Sequence, residues 1–205
     1  IQVINMKKNI ILASGSHIRS TLLRSSGVVF DIKKHKIDED KEKKILIRNN
    51  IETKEIPMTL AKKKGMSVSK IYKNSFIIGC DQALVVKNII FSKAKNSKDL
   101  KQQLLMLNGK SHKLYSSCAV LYQEEIVWSH TAEIVLLMRE LSQREISTYV
   151  DKNWESVKNS VGGYLIESTG KRLFKTIHGD YFSALGLPVI ELLDFLISKK
   201  AVSVV

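Results

Sequence analysis

The sequence has few of the features of secreted or membrane-embedded proteins. Its two cysteines, Cys80 and Cys118, are too few for a disulfide framework and favour a reducing compartment. The longest fully apolar runs, Cys118 to Tyr122 and Ile134 to Met138, are about five residues long, whereas a membrane-spanning helix needs roughly twenty. The first residues, Ile1 to Lys8, lack the apolar stretch of a signal peptide. We therefore expect a cytoplasmic protein that does not span a membrane.

The charge is strongly positive, but it is not organised like a nucleic-acid-binding surface. The chain has 33 basic and 20 acidic residues, which gives a formal net charge of +13 over 205 residues. The lysines are dispersed in pairs and triplets, such as Lys33-Lys34 and Lys62-Lys63-Lys64, without a basic tail or an aromatic-interleaved RNA-binding motif. A lysine-biased solvated surface or a small polyanionic substrate such as a nucleotide explains the charge better than nucleic acid as the main partner.

The order of the predicted elements indicates a mixed α/β fold. An apolar fraction of 44% is enough for a packed core. Apolar segments predict strands at 9–13, 28–32, 75–80, 112–122, 126–138, 164–167 and 173–176, and a small hairpin at 83–91. Helices are predicted at 17–26, 57–72, 97–107, 142–150 and 188–198, and a loop with a short helix at 33–55. No repeat or low-complexity linker interrupts this order, so we expect one structural unit over residues 1–205.

Local signals predict where several helices begin or end. Gly27 is expected to end the first helix. Ser97 is predicted as the N-cap of the third helix, with Asp99 in the first turn to complement the helix dipole. Ser142 and Glu145 have the spacing of a capping box and predict the start of the fourth helix.

Two apparent motifs do not fit their usual function. Gly109-Lys110-Ser111 looks like the end of a phosphate-binding loop, but the position where that motif needs its first glycine is Leu104. We interpret the segment as a helix stop. The histidines have no short ligand spacing and the two cysteines lie far apart, so we do not expect a zinc site.

Two segments place chemically useful groups at the ends of predicted elements. Ser14-Gly15-Ser16, with Arg19 one turn later, puts hydroxyls and backbone amides at a helix N-terminus, which attracts phosphate, although the serines could be simple N-caps. Asp81 follows a predicted buried strand that ends there. A carboxylate in that place can hold a metal ion or deprotonate water, or it can simply begin a turn.

A third segment, near the C-terminus, completes a recognisable order. It contains Val161-Gly162-Gly163-Tyr164 with Glu167, then His178-Gly179-Asp180-Tyr181, then Leu185-Gly186-Leu187-Pro188. Together with Leu12 to Leu23 and Ile78 to Gln82, and in this order, the chain resembles the Maf family of nucleoside triphosphate pyrophosphatases. The resemblance runs from Ile10 to about Leu196.

The resemblance implies an enzyme that cuts a nucleoside triphosphate between its α and β phosphates and releases the monophosphate and pyrophosphate. It implies an elongated mixed α/β fold with a twisted sheet flanked by helices and a cleft between two lobes, similar to inosine triphosphatases. It also implies Asp81 as the proton acceptor, Ser14 with Arg19 as the phosphate motif and Glu39 near the metal. Lys64 and Lys93 match the family's two lysines.

Elementary chemistry is compatible with these implied roles. Attack at phosphorus needs an activated water, which Asp81 could deprotonate itself or position through a divalent ion. Arg19 offers a planar fork for two phosphate oxygens, while Lys64 and Lys93 act as point charges. Carboxylates at Glu39 and Asp81 suit Mg²⁺ or Mn²⁺. Without the resemblance, the two lysines would be read as solvated surface residues.

The chain departs from the family pattern at four positions beside these residues. His17 and Ile18 stand where the family often carries proline and an arginine or tryptophan, and Gly65 and Ala94 stand where it carries alanine and proline. The charged residues Arg19, Lys64 and Lys93 are still present, so the expected type of reaction is unchanged.

Two residues bear on the choice of base. Members that prefer thymidine or uridine triphosphate commonly carry a threonine after the catalytic aspartate and a late glutamine, whereas this chain has Gln82 and Glu167. It therefore resembles the branch that acts on methylated guanosine triphosphate. A carboxylate only accepts hydrogen bonds, which suits the paired donors on a guanine edge. Ser14, Ser16, Gln82 and Glu167 are thus the expected substrate-binding residues, unless Glu167 simply faces solvent.

Two other readings remain open. The first is a non-enzymatic member of the same fold that binds nucleic acid or a division protein through its positive surface. The second is an inosine-type triphosphate pyrophosphatase, whose motifs fit less well at the N-terminus. Family members are often dimers, which allows a homodimer, although the sequence identifies no interface.

Overall fold

The structure is a computed structural model that describes residues 9–205. The prediction made for residues 1–8 lies outside this range. In the described part the strands are β1 (Ile10–Leu12), β2 (Asp31–Ile32), β3 (Phe76–Val86), β4 (Ile89–Ile90), β5 (Ser111–Tyr122), β6 (Glu125–Met138) and β7 (Phe174–His178). The helices are α1 (His17–Ser25), α2 (Glu39–Arg48), α3 (Ile56–Ser69), α4 (Ser97–Leu107), α5 (Gln143–Val157), α6 (Tyr181–Ala184) and α7 (Val189–Ser198).

All seven strands belong to one mixed sheet. Its strand order is β2-β1-β3-β5-β6-β7, and β4 pairs with the end of β3. Strand β1 is parallel to both β2 and β3, whereas the remaining pairs are antiparallel. Helices flank this sheet, so the predicted mixed α/β fold is confirmed. In residues 9–205 no helix combines the length and apolar character needed to cross a membrane.

The two faces of the sheet are covered by different helices. The larger core packs residues of α1, α4, α5 and α7 against one face, including Leu23, Leu104 and Leu196. The other face carries a smaller cluster around Ile77 and Leu121 against α3. Burial on both faces explains why β3 is apolar almost throughout.

Strand β3 continues past Asp81, so the prediction that a strand ends there is wrong. Residues 77–85 of β3 pair with β5, and Asp81 lies opposite Ser117. The parallel part of the sheet nevertheless ends just before Asp81, because β1 stops at Leu12, opposite Ile78. Asp81 therefore lies just beyond the carboxyl end of β1, as expected for a site in a parallel sheet, but it lies in the middle of β3.

The short β1 leaves a gap along one edge of β3. The Ile78 carbonyl accepts a hydrogen bond from the Ala13 N–H at 2.8 Å, and the Leu84 carbonyl accepts one from the Phe91 N–H at 2.9 Å. The carbonyl of Cys80 lies between these two strand contacts. The N-terminus of α1 approaches the sheet at this gap.

Helix α3 approaches β3 through a pair of glycines, Gly65 and Gly79. A Cβ atom at Gly79 would lie 2.2 Å from the Ala61 carbonyl oxygen and 2.8 Å from the Gly65 nitrogen. A Cβ atom at Gly65 would meet the Leu121 side chain at 2.3 Å. At Gly79 the near atoms are backbone, so this position has no room for a side chain, whereas at Gly65 the near atom is the end of the Leu121 side chain. The close contact brings the neighbouring Lys64 near the sheet.

The structure confirms some helix boundaries and corrects others. Ser142 and Glu145 form the predicted capping box, but α5 continues to Val157 and not only to about 150. The N-cap of α4 is Asn96, whose side chain accepts from the Asp99 N–H, and Ser97 is the first helical residue.

The strand predicted at 164–167 is absent from the structure. Gly162 and Gly163 have φ values of 80° and 66°, in the left-handed region, and belong to a short 3-10 turn, Val161–Gly163. A second such turn, Thr169–Leu173, leads into β7. The segment between these turns is irregular and forms part of the cavity wall described next.

Candidate active site

One cavity of about 1020 Å³ brings together the predicted site residues. It lies between the start of α1, the start of α2, helix α3, strand β3 and the segment after α5. All nine predicted catalytic, substrate-binding and metal-binding residues line it: Ser14, Ser16, Arg19, Glu39, Lys64, Asp81, Gln82, Lys93 and Glu167. Residues that are separated by up to 153 positions in sequence therefore line a single cavity.

The N-terminus of α1 offers unused polar groups to this cavity. Ser16 occupies the N-cap position, but its side chain makes no capping hydrogen bond, and the first turn contains no acidic residue. The Ser14 hydroxyl oxygen accepts from the Ser16 N–H at 3.2 Å. The simple capping role therefore does not apply to the Ser16 side chain, and the positive end of the helix dipole is not neutralised by a carboxylate of its own first turn.

Arg19 is fixed by the backbone of two distant segments. Its Nε donates to the Gly186 carbonyl at 2.9 Å, and its Nη1 donates to the Cys80 carbonyl at 3.2 Å and to the Ser14 hydroxyl at 3.4 Å. The guanidinium thus fills the gap along the edge of β3. None of the hydrogen bonds within residues 9–205 uses Nη2, which remains available to an anion.

A buried lysine joins two carboxylates in the cavity wall. Lys64 Nζ lies 2.6 Å from Asp81 Oδ1 and 3.1 Å from Glu39 Oε1. The Lys64 and Asp81 side chains are 3% and 11% exposed, whereas that of Glu39 is 42% exposed. Each carboxylate keeps its second oxygen free of this lysine.

The two carboxylates have opposite pKa shifts. Burial raises the pKa of Asp81, and the positive charges of Lys64 and Arg19 oppose that rise. A hydrogen bond from His35 is the largest cause of a strongly lowered pKa at Glu39, which Lys64 lowers further. Asp81 is therefore the more basic of the two and Glu39 the more firmly ionised.

His35 and Lys43 are contributors that the sequence did not reveal. His35 Nε2 lies 3.3 Å from Glu39 Oε1. Lys43, one turn after Glu39 on α2, donates from Nζ to the Phe91 carbonyl at 2.6 Å and so ties α2 to the segment that carries Lys93. The one available signal was the four-residue spacing from His35 to Glu39 to Lys43, which charge-rich segments often show without function.

Gln82 is engaged mainly with the protein itself. Its Nε2 donates to the Ser116 hydroxyl at 2.7 Å and to the Ser183 and Ala184 carbonyls at 3.2 Å. These contacts brace β3 against α6, next to the Gly186 carbonyl that holds Arg19. Only the Gln82 Oε1 atom is left to face a ligand, so this side chain acts mainly as a brace.

Part of the cavity wall is apolar. Leu114, Leu165 and Ile166 line it together with the polar side chains of Asn159 and Glu167. Glu167 is exposed, so the alternative that it simply faces solvent stays open. A planar ring with a few polar edges fits such a wall. Sequence reasoning missed Asn159, which lies on the irregular segment after α5.

Comparison with known proteins identifies the family. The family model described as Maf-like protein matches residues 9–199. The nucleoside triphosphate pyrophosphatase of Ruegeria sp. (strain TM1040) is 39% identical over 93% of this chain and 96% of the relative. The protein of the same name from Caulobacter vibrioides is 35% identical over 94% and 96%. The chain belongs to the Maf family. The resemblance noted from the sequence is thereby confirmed.

A further relative bears on the base. The 7-methyl-GTP pyrophosphatase of Rhizobium meliloti (strain 1021) is 32% identical over 92% of this Maf-family chain and 95% of the relative. Both names therefore occur among proteins of similar length and similar distance from this chain.

The Glu39 and Asp81 pair has the donor atoms that a magnesium site shared with substrate would use. In residues 9–205 no three His, Cys, Asp or Glu side chains are grouped to hold a metal ion by themselves. Mg²⁺ commonly binds one or two carboxylates and completes its shell with water and phosphate oxygens. The second oxygens of Glu39 and Asp81 suit that arrangement.

Proposed function

We propose that this protein hydrolyses a nucleoside triphosphate to the monophosphate and pyrophosphate. The observation that carries the proposal is Asp81, a buried carboxylate that lies in a cavity lined by Arg19, Lys64 and Lys93. A water oxygen attacks the α-phosphorus, the bond to the bridging oxygen of the β-phosphate breaks, and pyrophosphate leaves. Because burial raises the pKa of Asp81, this carboxylate is a better proton acceptor for that water than an ordinary aspartate.

The cationic groups hold the phosphate chain. Arg19 Nη2 and the backbone amides at the start of α1 bind phosphate oxygens, because both present N–H donors where the helix dipole favours negative charge. Lys93 is exposed at the cavity edge and reaches the outer phosphates. Lys64 orients Asp81 through its 2.6 Å contact.

A divalent ion completes the site in this proposal. Glu39 and Asp81 would hold Mg²⁺ or Mn²⁺ through their second oxygens together with phosphate oxygens of the substrate. When bound, the ion neutralises charge on the phosphates as the bond to pyrophosphate breaks.

The direct test is pyrophosphate release with Mg²⁺ or Mn²⁺ across a panel of common ribo- and deoxynucleotides, 7-methyl-GTP and ITP. We expect activity on at least one nucleotide, and the substitution Asp81→Asn should lower kcat by about 10²–10⁴ because the proton acceptor is lost. His178→Gln on the exposed end of β7 serves as a control and should retain activity.

Wild-type protein that cleaves no nucleotide would contradict the proposal. Salt-dependent, sub-micromolar binding of DNA or RNA in that case would favour the non-enzymatic alternative, to which the net charge of +13 would contribute. A preference for ITP over all other nucleotides would favour the inosine-type reading.

We further propose that Glu167 reads the base and that the preferred base is a methylated guanine. The carboxylate accepts from the two donors on the guanine edge, and the relative named 7-methyl-GTP pyrophosphatase is compatible with this choice. We expect Glu167→Gln to lower kcat/KM for 7-methyl-GTP roughly tenfold relative to UTP, as the loss of one charged hydrogen bond predicts. An unchanged ratio of the two kcat/KM values would show that Glu167 faces solvent.

A further inference from the structure

His35 lies at the cavity wall and makes two different contacts with its two ring nitrogens. Its Nδ1 accepts a hydrogen bond from the Ile37 N–H at 3.3 Å, and its Nε2 lies 3.3 Å from Glu39 Oε1. The side chain is only 14% exposed. His35 is therefore held between its own loop and the first residue of α2.

The contact with Ile37 determines which nitrogen carries the proton. A nitrogen that accepts from a backbone N–H is unprotonated in neutral imidazole, so the hydrogen sits on Nε2. The Nε2–H then points at Glu39 and donates to it. His35 thus presents a fixed donor to the carboxylate.

Glu39 needs such a donor because its helix does not orient it. It is the first residue of α2, its side chain is 42% exposed, and the N-cap contact in this turn is made by Asp38, which accepts from the Lys41 N–H. Apart from His35, Lys64 is the other side chain that pairs with Glu39 within residues 9–205. A glutamate with a single partner at 3.1 Å could turn out into solvent.

We infer that His35 is a positioning residue that holds the Glu39 carboxylate over Lys64 and Asp81, ready to bind the divalent ion. The inference rests on the proposed function, because it assigns His35 a task at the metal site proposed there. Histidine-to-carboxylate contacts of this kind orient a metal ligand without touching the metal, and their loss typically lowers metal affinity 10–100-fold.

The competing explanation is that His35 only shapes the loop before α2 through Ile37. Two substitutions separate the explanations, because each keeps one contact. In His35→Gln the amide nitrogen replaces Nε2 and keeps the donor to Glu39. In His35→Asn the amide oxygen replaces Nδ1 and keeps the acceptor for the Ile37 N–H, while the donor to Glu39 is lost.

The experiment measures Mn²⁺ affinity of the full chain by electron paramagnetic resonance of free Mn²⁺. An α,β-methylene analogue of guanosine triphosphate is held at one equivalent per protein, so that little unbound nucleotide competes for the ion. We expect the Kd for Mn²⁺ to rise roughly tenfold or more in His35→Asn and to stay within about threefold of wild type in His35→Gln. The inference would be overturned by an unchanged Kd in His35→Asn. It would also be overturned if Mn²⁺ affinity fell only in His35→Gln, or fell equally in both variants.

Crystal structures of the two variants give a readout that does not depend on metal. Glu39 should stay within contact of Lys64 in His35→Gln and turn away in His35→Asn. If wild-type protein binds no Mn²⁺, the proposed metal site fails, but the position of Glu39 in these structures still decides the role of His35. If Glu39 stays in contact with Lys64 in His35→Asn, the inference is wrong.

Discussion

At the scale of single residues, Lys64 determines the charge balance of the site. It is 3% exposed and contacts two carboxylates, of which Asp81 is also buried. A buried carboxylate without a cation nearby is costly, whereas the buried Lys64–Asp81 pair, with Glu39 as a second carboxylate on the lysine, is tolerated. Lys64 therefore stabilises the ionised form of Asp81, the proposed proton acceptor.

We expect Lys64→Met to lower the free energy of unfolding by about 3 kcal/mol at neutral pH, because Asp81 is left buried without its partner. Urea unfolding in the presence of EDTA measures the loss. The neighbouring Lys63, which is 42% exposed and pairs with Glu42, provides the matched control, and Lys63→Met should cost less than about 1 kcal/mol. Equal losses for the two variants would contradict the role assigned to Lys64.

At the scale of elements, the glycine contact between α3 and β3 sets the distance from Lys64 to Asp81. Gly65 follows Lys64 on the helix, and Gly79 lies two residues before Asp81 on the strand. A methyl group between them would have to push the helix away from the sheet. In the proposed site, helix packing and catalysis are therefore linked through a contact between two residues without side chains.

We expect Gly79→Ala to cost about 1–3 kcal/mol of stability, as overpacking does, and to lower kcat at temperatures where the variant is fully folded. Thermal unfolding and pyrophosphate release measure the two effects. Gly27→Ala is the control: nothing lies within 4 Å of a Cβ there, so it should lose only about 1 kcal/mol from backbone strain at φ +73° and keep its activity. Full activity of folded Gly79→Ala would contradict the expectation that this glycine contact affects catalysis.

The accuracy of the sequence predictions also varies with the element. The capping box at Ser142 is a local signal and was predicted correctly. The end of α5 was placed too early, although no glycine or proline stops the helix between 151 and 157. Strand β3 was ended at Asp81 because a carboxylate usually leaves a buried strand. Its pairing with β5 and its contact with Lys64 override that preference, and neither is visible in the local sequence.

At the scale of the whole molecule, His112 makes stability depend on pH. It lies on β5, 2% exposed, and its Nε2 bonds to the hydroxyl of Tyr164 on the far side of the cavity wall. Burial lowers the pKa of His112 from 6.5 to about 4. The unfolded chain therefore binds a proton on this residue before the folded protein does, and stability is lost as the pH falls from about 6.5 toward 4.

We expect this residue to remove about 2 kcal/mol of stability between pH 7 and pH 5. In His112→Gln, which keeps a polar contact for Tyr164, that part of the pH dependence should disappear, although the variant starts from a lower stability. Urea unfolding at the two pH values measures the difference. The exposed His178→Gln should behave like wild type, and a pH dependence in His112→Gln as steep as in wild type would disprove the assignment.

Some residues of the candidate site could be identified from sequence motifs, whereas others became visible only in the folded structure. Asp81 and Arg19 could be identified because each lies in a short segment with a recognisable order. Asn159 could not, because its neighbours in the cavity come from distant parts of the chain. His35 could not, because its contact with Glu39 leaves only a four-residue spacing, which charge-rich segments often show without function. The role of Gln82 was also hidden, since its partners Ser116 and Ser183 are separated from it by 34 and 101 positions.

The anchoring of Arg19 in the gap beside β3 has a consequence for the strength of binding. An arginine on an open surface samples many rotamers, and fixing such a side chain on a ligand costs about 0.5–1.5 kcal/mol of entropy. Here folding has already fixed the guanidinium on the Gly186 and Cys80 carbonyls, with Nη2 turned to no other group within residues 9–205. If Arg19 binds phosphate as proposed, the arriving phosphate meets a donor already in place, and little of its binding energy is spent on ordering the protein.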